Sequence, residues 1–173
     1  MRFFSFLPGF AAHLLVVGTV FAASTISAQT LTILHTNDIH GHLNAWRGWE
    51  GELAGKTVGG MDRLATAIKQ ARAEAGANNV LLLDAGDTLG DSMIADETKG
   101  RAIINAMNLM AYDAMVIGNH EPDFTAETLK ARIADAKFPV IAANITEGGK
   151  LFAQPYVVKQ VAGIKVGILG LAY

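Results

Sequence analysis

The chain has 173 residues, a formal net charge of −2, no cysteine and 51% hydrophobic residues. That length is enough for one domain with a sizeable core, and a near-neutral balance without a basic tract argues against nucleic-acid or anionic-membrane binding. A chain without cysteine cannot rest on disulfides when exported, which suits a bacterial envelope better than a small secreted eukaryotic domain.

Residues 1–28 carry one basic residue, Arg2, then an apolar body dense from Leu14 to Ala23, then small residues. This pattern predicts a secretory signal peptide cleaved after Ala28 and an exported protein of the periplasm or cell envelope. Once cleaved, such a chain keeps no stable membrane partner; an uncleaved anchor is the alternative on length. Residues 29–173 then form the domain.

Leu31-Thr32-Ile33-Leu34 reads as a buried strand that leaves through a loop holding Asp38, His40 and His42. In extended backbone, Asp38 and His40 would point to the same side. Residues 44–59 mix glycine, Trp46, Trp49 and charges, and read as a surface loop. From Gly60 the spacing of Met61, Leu64, Ala65, Ile68, Ala71 and Ala75 predicts a helix ended by Gly76. Val80–Leu83 is a second buried strand, leaving through Asp84-Ala85-Gly86-Asp87-Thr88. A second helix is expected from Glu97 to Met110, with Ile103, Ile104, Met107 and Met110 inward. Ala114–Ile117 is a third strand, leaving through Gly118-Asn119-His120-Glu121-Pro122-Asp123. Thr125 can cap a third helix carrying Leu129 and Ile133. Strands follow over 139–142, 156–161 and 164–171, the last two paired as a hairpin around Ala162-Gly163. Strands alternating with helices predict an α/β domain with parallel pairing in its first half. The buried-looking strand at the end, without a solvated tail, suggests a piece of a longer protein.

Taken singly, each loop reads as an ordinary polar turn; Gly86-Asp87 in particular is a common turn pair. Together they say more. Outside residues 1–28 the chain has four histidines, His35, His40, His42 and His120, and all lie in these segments. Carboxylates and imidazoles brought to one sheet edge suit divalent metals. The residues suggest two-metal hydrolysis, with Asp38 and His40 on the first cation, Asp87 bridging, and Asn119 on the second. His120 would face the substrate as an acid, with Asp123 on its other ring nitrogen.

Asp38-x-His40, Gly86-Asp87 and Gly118-Asn119-His120-Glu121, in this order and each after a strand, resemble the calcineurin-like metallophosphoesterases. Leu34-His35-Thr36-Asn37-Asp38, Gly118–Phe124 and Phe138-Pro139-Val140-x-Ala142-Ala143-Asn144 resemble the N-terminal part of the exported bacterial 5′-nucleotidase and UDP-sugar hydrolase group. The resemblance implies a four-layer metallophosphatase fold, a β-sandwich flanked by helices and incomplete at the C-terminus. It implies a metal-dependent hydrolase of phosphate esters, with nucleoside 5′-monophosphates or related nucleotides as small-molecule substrates. Cyclic-nucleotide phosphodiesterase, general phosphomonoesterase and a truncated non-catalytic metal-binding chain are the alternatives. It further implies Asp38, His40, Asp87 and Asn119 as ligands of two divalent ions (Mn, Zn, Co or Mg), and His120 with Asp123 as the catalytic pair. His35 and His42 are structural or support the ligands. The family's later Gly-His and Gly-His-x-His ligand loops and its nucleotide-recognising C-terminal domain do not fall within these residues, so residues 29–173 would carry only part of the site. Pro122 replaces a more usual aromatic residue and is expected to hold Glu121 extended.

Overall fold

A computed structural model describes residues 30–172; the expected signal peptide lies outside them. Four parallel strands form the central sheet: β1 (Thr32–Thr36), β4 (Val80–Asp84), β5 (Ala114–Val116) and β6 (Val140–Ile141), adjacent in that order. In register, Leu34 pairs with Leu82, Asp84 with Met115 and Met115 with Val140. Each crossover steps in the same direction across the sheet. Right-handed crossovers therefore put the connecting helices on one face.

The first of these helices is α1 (Met61–Ala75), between β1 and β4; α2 (Met93–Thr98) and α3 (Arg101–Met110) lie between β4 and β5, and α4 (Ala126–Asp135) between β5 and β6. Their apolar stripes meet alternate residues of the strands. Ile68, Ile104, Met107 and Leu129 share one core with Leu82, Met115 and Val140, and Leu34 packs at its margin. Burying each such side chain fully contributes about 1.5–3 kcal/mol, and this layer fixes the strand ends from which the polar loops leave.

The secondary structure departs from the sequence reading in four places. The helix expected over 97–110 is two helices, broken at Lys99 and Gly100, both left-handed (φ 51° and 74°). The stretch read as a loop over 44–59 holds a short antiparallel hairpin, β2 (Ala45–Arg47) with β3 (Thr57–Gly59). A second small hairpin, β7 (Thr146–Glu147) with β8 (Lys150–Leu151), follows β6. The strand expected to reach residue 171 ends at Leu169. The hairpin of β9 (Tyr156–Val161) and β10 (Ile164–Leu169) forms as expected, through left-handed Ala162 and Gly163 (φ 51° and 74°), the turn whose twist suits paired strands. No helix among the described residues is long and apolar enough to cross a membrane.

Behind the second loop sits a buried carboxylate. Asp84 accepts from Thr36 Oγ1 (2.6 Å), Thr88 Oγ1 (2.8 Å) and Gly86 N–H (3.0 Å). Burial pushes it up from its ordinary 3.8 to about 6; the three hydrogen bonds oppose this and the Glu121 charge adds to it. The folded state thus holds the proton more tightly than the unfolded chain. The resulting stabilisation is full below about pH 3.8 and is lost as pH rises through about 6. Asn at this position keeps an acceptor for Gly86 and Thr88, offers an N–H to Thr36, and carries no charge to desolvate. Asp84→Asn is expected to raise stability above pH 6 by about 1–3 kcal/mol and to flatten the pH dependence between 4 and 6. Urea unfolding at pH 4.5 and pH 8 checks this; a variant less stable than the parent at pH 8 would refute it.

Candidate functional site

Three loops leave the same edge of the parallel sheet, after β1, β4 and β5. The first two are zipped by their backbones: Ala85 N–H donates to Thr36 O (2.8 Å), Asp38 N–H to Gly86 O (3.0 Å), His40 N–H to Asp87 O (3.0 Å) and Gly41 N–H to Thr88 O (2.9 Å). The third is bound to the second chiefly by the Glu121 side chain. Glu121 is wholly buried; its Oε2 accepts from Asp87 N–H (2.9 Å) and Gly118 N–H (2.6 Å), its Oε1 from Thr88 N–H (2.6 Å) and Leu89 N–H (3.3 Å). A buried carboxylate is tolerated because main-chain donors surround it.

The same junction requires two glycines. A Cβ on Gly86 would lie 2.7 Å from Gly118 N, and a Cβ on Gly118 would run into the Asp87 carboxylate. Glu121 does not run extended before Pro122. It opens a single 3₁₀ turn, Glu121–Asp123, in which Asp123 N–H donates to His120 O (3.2 Å). Capture of its carboxylate by the buried donors outweighs the local preference set by the proline.

These loops place their polar side chains through left-handed backbone. Asp38 (φ 51°), His40 (φ 46°), Asp87 (φ 54°) and Asp91 (φ 65°) all lie there. Asp and His tolerate this region better than most side chains, and clusters of such residues mark functional loops. Asp38 and His40 therefore do not share a side through extended alternation, the expectation from their spacing. They converge because a tight turn folds one back toward the other, leaving His40 Nε2 3.6 Å from Asp38 Oδ1.

One ligating atom each from Asp38, His40 and Asp87 lie within 4.8 Å of one another. This donor set of two carboxylates and an imidazole, half-open to solvent, fits a divalent cation of borderline hardness. Asp87 Oδ1 also accepts the backbone N–H of His120 (2.9 Å). The His120 ring stands edge-on to His40, with centroids 5.0 Å apart, and its Nδ1 is 2.7 Å from Asp123 Oδ2. That hydrogen bond raises the His120 pKa above its ordinary 6.5; partial desolvation opposes it, and the charges of Asp123, Asp87 and Asp91 add to it. Asn119 stands at the tip of the third loop, between Gly118 and His120. The backbone N–H groups of these two neighbours donate to Glu121 and Asp87.

His35 and His42 lie outside this group. His35 lies on β1, across from Leu83, and His42 stacks on Trp46 with centroids 4.8 Å apart. A cavity of about 610 Å³ lies beside the cluster, lined by His42, Trp46, Met93, Ile94 and Glu97. Its lining includes Gly41 and Ser92, the neighbours of His40 and Asp91, and none of Asp38, His40, Asp87, His120 and Asp123, so the side-chain convergence locates the chemistry better than the cavity does. Two residues of this region escape sequence reasoning. Glu121 gives no sign that it clamps two loops. Asp91 is a second acid in the Asp87 loop, and that repetition after Gly90 is its only signal.

The family model for calcineurin-like phosphoesterases matches residues 31–169. The chain is similar to the snake venom 5′-nucleotidase of Gloydius brevicauda, 38% identical over 169 residues, covering 91% of this chain and 28% of that protein. It is 40% identical over 170 residues to the 5′-nucleotidase of Homo sapiens, covering 92% and 29% respectively. The crystal structure of a 5′-nucleotidase precursor from Thermus thermophilus superposes with a TM-score of 0.71 at 35% identity, covering 82% of this chain and 28% of that one. The chain thus spans under a third of the length of these relatives.

Proposed function

This chain belongs to the calcineurin-like phosphoesterase family, and on that premise we propose that it carries part of the metal site of a phosphate-ester hydrolase. We further infer that nucleoside 5′-monophosphates or related nucleotides are its substrates, since relatives of high similarity are named 5′-nucleotidases. The observation that carries the reading is the convergence of Asp38, His40 and Asp87 directly beside the His120–Asp123 pair.

In this reading Asp38, His40, Asp87 and Asn119 would hold two divalent cations, with Asp38 and His40 serving the first, Asn119 the second, and Asp87 common to both. Such cations supply charge neutralisation at the phosphoryl oxygens and lower the pKa of water toward neutrality. The chain's own residues do the rest. Asp123 accepts a hydrogen bond from His120 Nδ1–H, which turns Nε2 outward and favours the protonated ring. His120 then offers Nε2–H to the leaving oxygen, or to the charge that builds on the phosphoryl group. The Glu121 clamp keeps the Asp87 and His120 loops in register while this happens. The apolar residues 1–28 support export to the periplasm or cell envelope by a signal peptide.

The test uses the complete encoded protein, stripped with a chelator and resupplied with Mn²⁺, Co²⁺, Zn²⁺ or Mg²⁺. AMP hydrolysis is expected to vanish on chelation and to return with at least one of the four. Faster turnover of a cyclic nucleotide than of AMP would replace the nucleotidase reading by the phosphodiesterase one. Hydrolysis indifferent to chelation would defeat the metal-dependent reading itself.

A further inference from the structure

One side chain without a role so far touches both imidazoles of the site. Asp91 Oδ2 lies 2.7 Å from His40 Nδ1 and 3.8 Å from His120 Nδ1. The two ring nitrogens of His40 are thereby divided, with Nδ1 turned to Asp91 and Nε2 into the Asp38 and Asp87 cluster. An ionised carboxylate only accepts hydrogen bonds. The contact with Asp91 therefore places the His40 proton on Nδ1 and leaves the Nε2 lone pair for a cation.

The backbone, and not side-chain reach, delivers Asp91 to this position. Asp91 itself is left-handed (φ 65°). Ser92, next in the chain, donates its Oγ hydrogen to Gly41 O (2.6 Å) and caps α2 by accepting Ala95 N–H (3.1 Å). That pair of bonds staples the segment carrying Asp91 to the turn carrying His40. A solvent-facing acid with no such anchor would not hold one geometry against two rings.

We propose that Asp91 is a positioning residue: it sets the tautomer and ring orientation of His40 so that Nε2 is presented to a divalent cation. Through the same oxygen it also joins His40 to the His120–Asp123 pair. The inference rests on the metal-dependent reading above. Partners that orient metal-ligating histidines in this way are worth roughly 10–100-fold in metal affinity.

The experiment is titration of the metal-free, complete encoded protein with Mn²⁺ or Co²⁺, followed by calorimetry. Asp91→Ala is expected to weaken binding by roughly 10–100-fold. Asp91→Asn, whose amide oxygen still accepts from Nδ1–H, is expected to recover most of that loss. In a His40→Ala background, Asp91→Ala is expected to change nothing further, because its effect passes through the ring. Unchanged affinity in a folded Asp91→Ala protein overturns the proposal while leaving the metal-dependent reading intact. A loss that persists without His40 also overturns it, since Asp91 would then be holding the cation directly. If the parent protein takes up neither metal, the metal-dependent reading falls and the proposal falls with it.

Discussion

Asp87→Ala is expected to abolish hydrolysis and to strip the complete encoded protein of most of its bound divalent metal. Two roles meet in this side chain. Its carboxylate is one of the three clustered donors with Asp38 and His40, and in the proposed mechanism it is the one shared by both cations. Its Oδ1 also accepts the His120 N–H at 2.9 Å, so the alanine loosens the third loop as well. Asp87→Asn separates these roles: the amide oxygen still accepts from His120, while the charge that balances two cations is lost. We expect the asparagine variant to fold like the parent and still to lose about 10³-fold or more in turnover, the scale of several kcal/mol of metal-derived stabilisation. Metal content by elemental analysis, beside turnover of AMP, checks both parts. An asparagine variant within tenfold of the parent would show that the bridge is not made by this residue.

What could be read in the sequence was whatever the local chain decides. The cores of β1, β4 and β5 are apolar runs, each followed at once by polar residues, and the face of α1 follows from helical spacing. The turn at Ala162-Gly163 was legible for the same reason. The break between α2 and α3 was harder, since Asp96–Arg101 holds no apolar residue to mark a helical face on either side of the left-handed Lys99 and Gly100. The β2–β3 hairpin has exposed strand residues at Ala45, Trp46 and Arg47, so no alternation betrays it.

The site divides along the same line. Asp38, His40, Asp87, Asn119, His120 and Asp123 stand out because they follow strands. Asp91 and Glu121 are defined by what they meet across the fold: Asp91 by a histidine 51 residues away, Glu121 by amides of a loop more than 30 residues back. Left-handed backbone at Asp38 and His40 is likewise a tertiary outcome, enforced by their pairing with Gly86 and Asp87. For Asp38 and His40 the spacing in the sequence gave the wrong reason for their convergence: left-handed backbone, and not extended alternation, brings the two side chains together.

His120→Ala carries the second large effect, and the structure gives it a distinct signature. The His120 ring is turned toward Asp123 and Asp91, at 2.7 and 3.8 Å from Nδ1, and not into the group formed by Asp38, His40 and Asp87. The backbone N–H that steadies Asp87 survives the substitution. Metal content is therefore expected to stay near that of the parent, while turnover of AMP falls by roughly 10²–10⁴, the usual contribution of a positioned acid or base. Asp123→Ala should give a smaller loss of the same kind, since the ring remains but its orientation and charge are no longer held. Single-turnover rates measured with saturating metal separate this from weakened binding. Loss of a cation in His120→Ala would move His120 into the ligand set, and turnover within a few-fold of the parent would remove it from the chemistry.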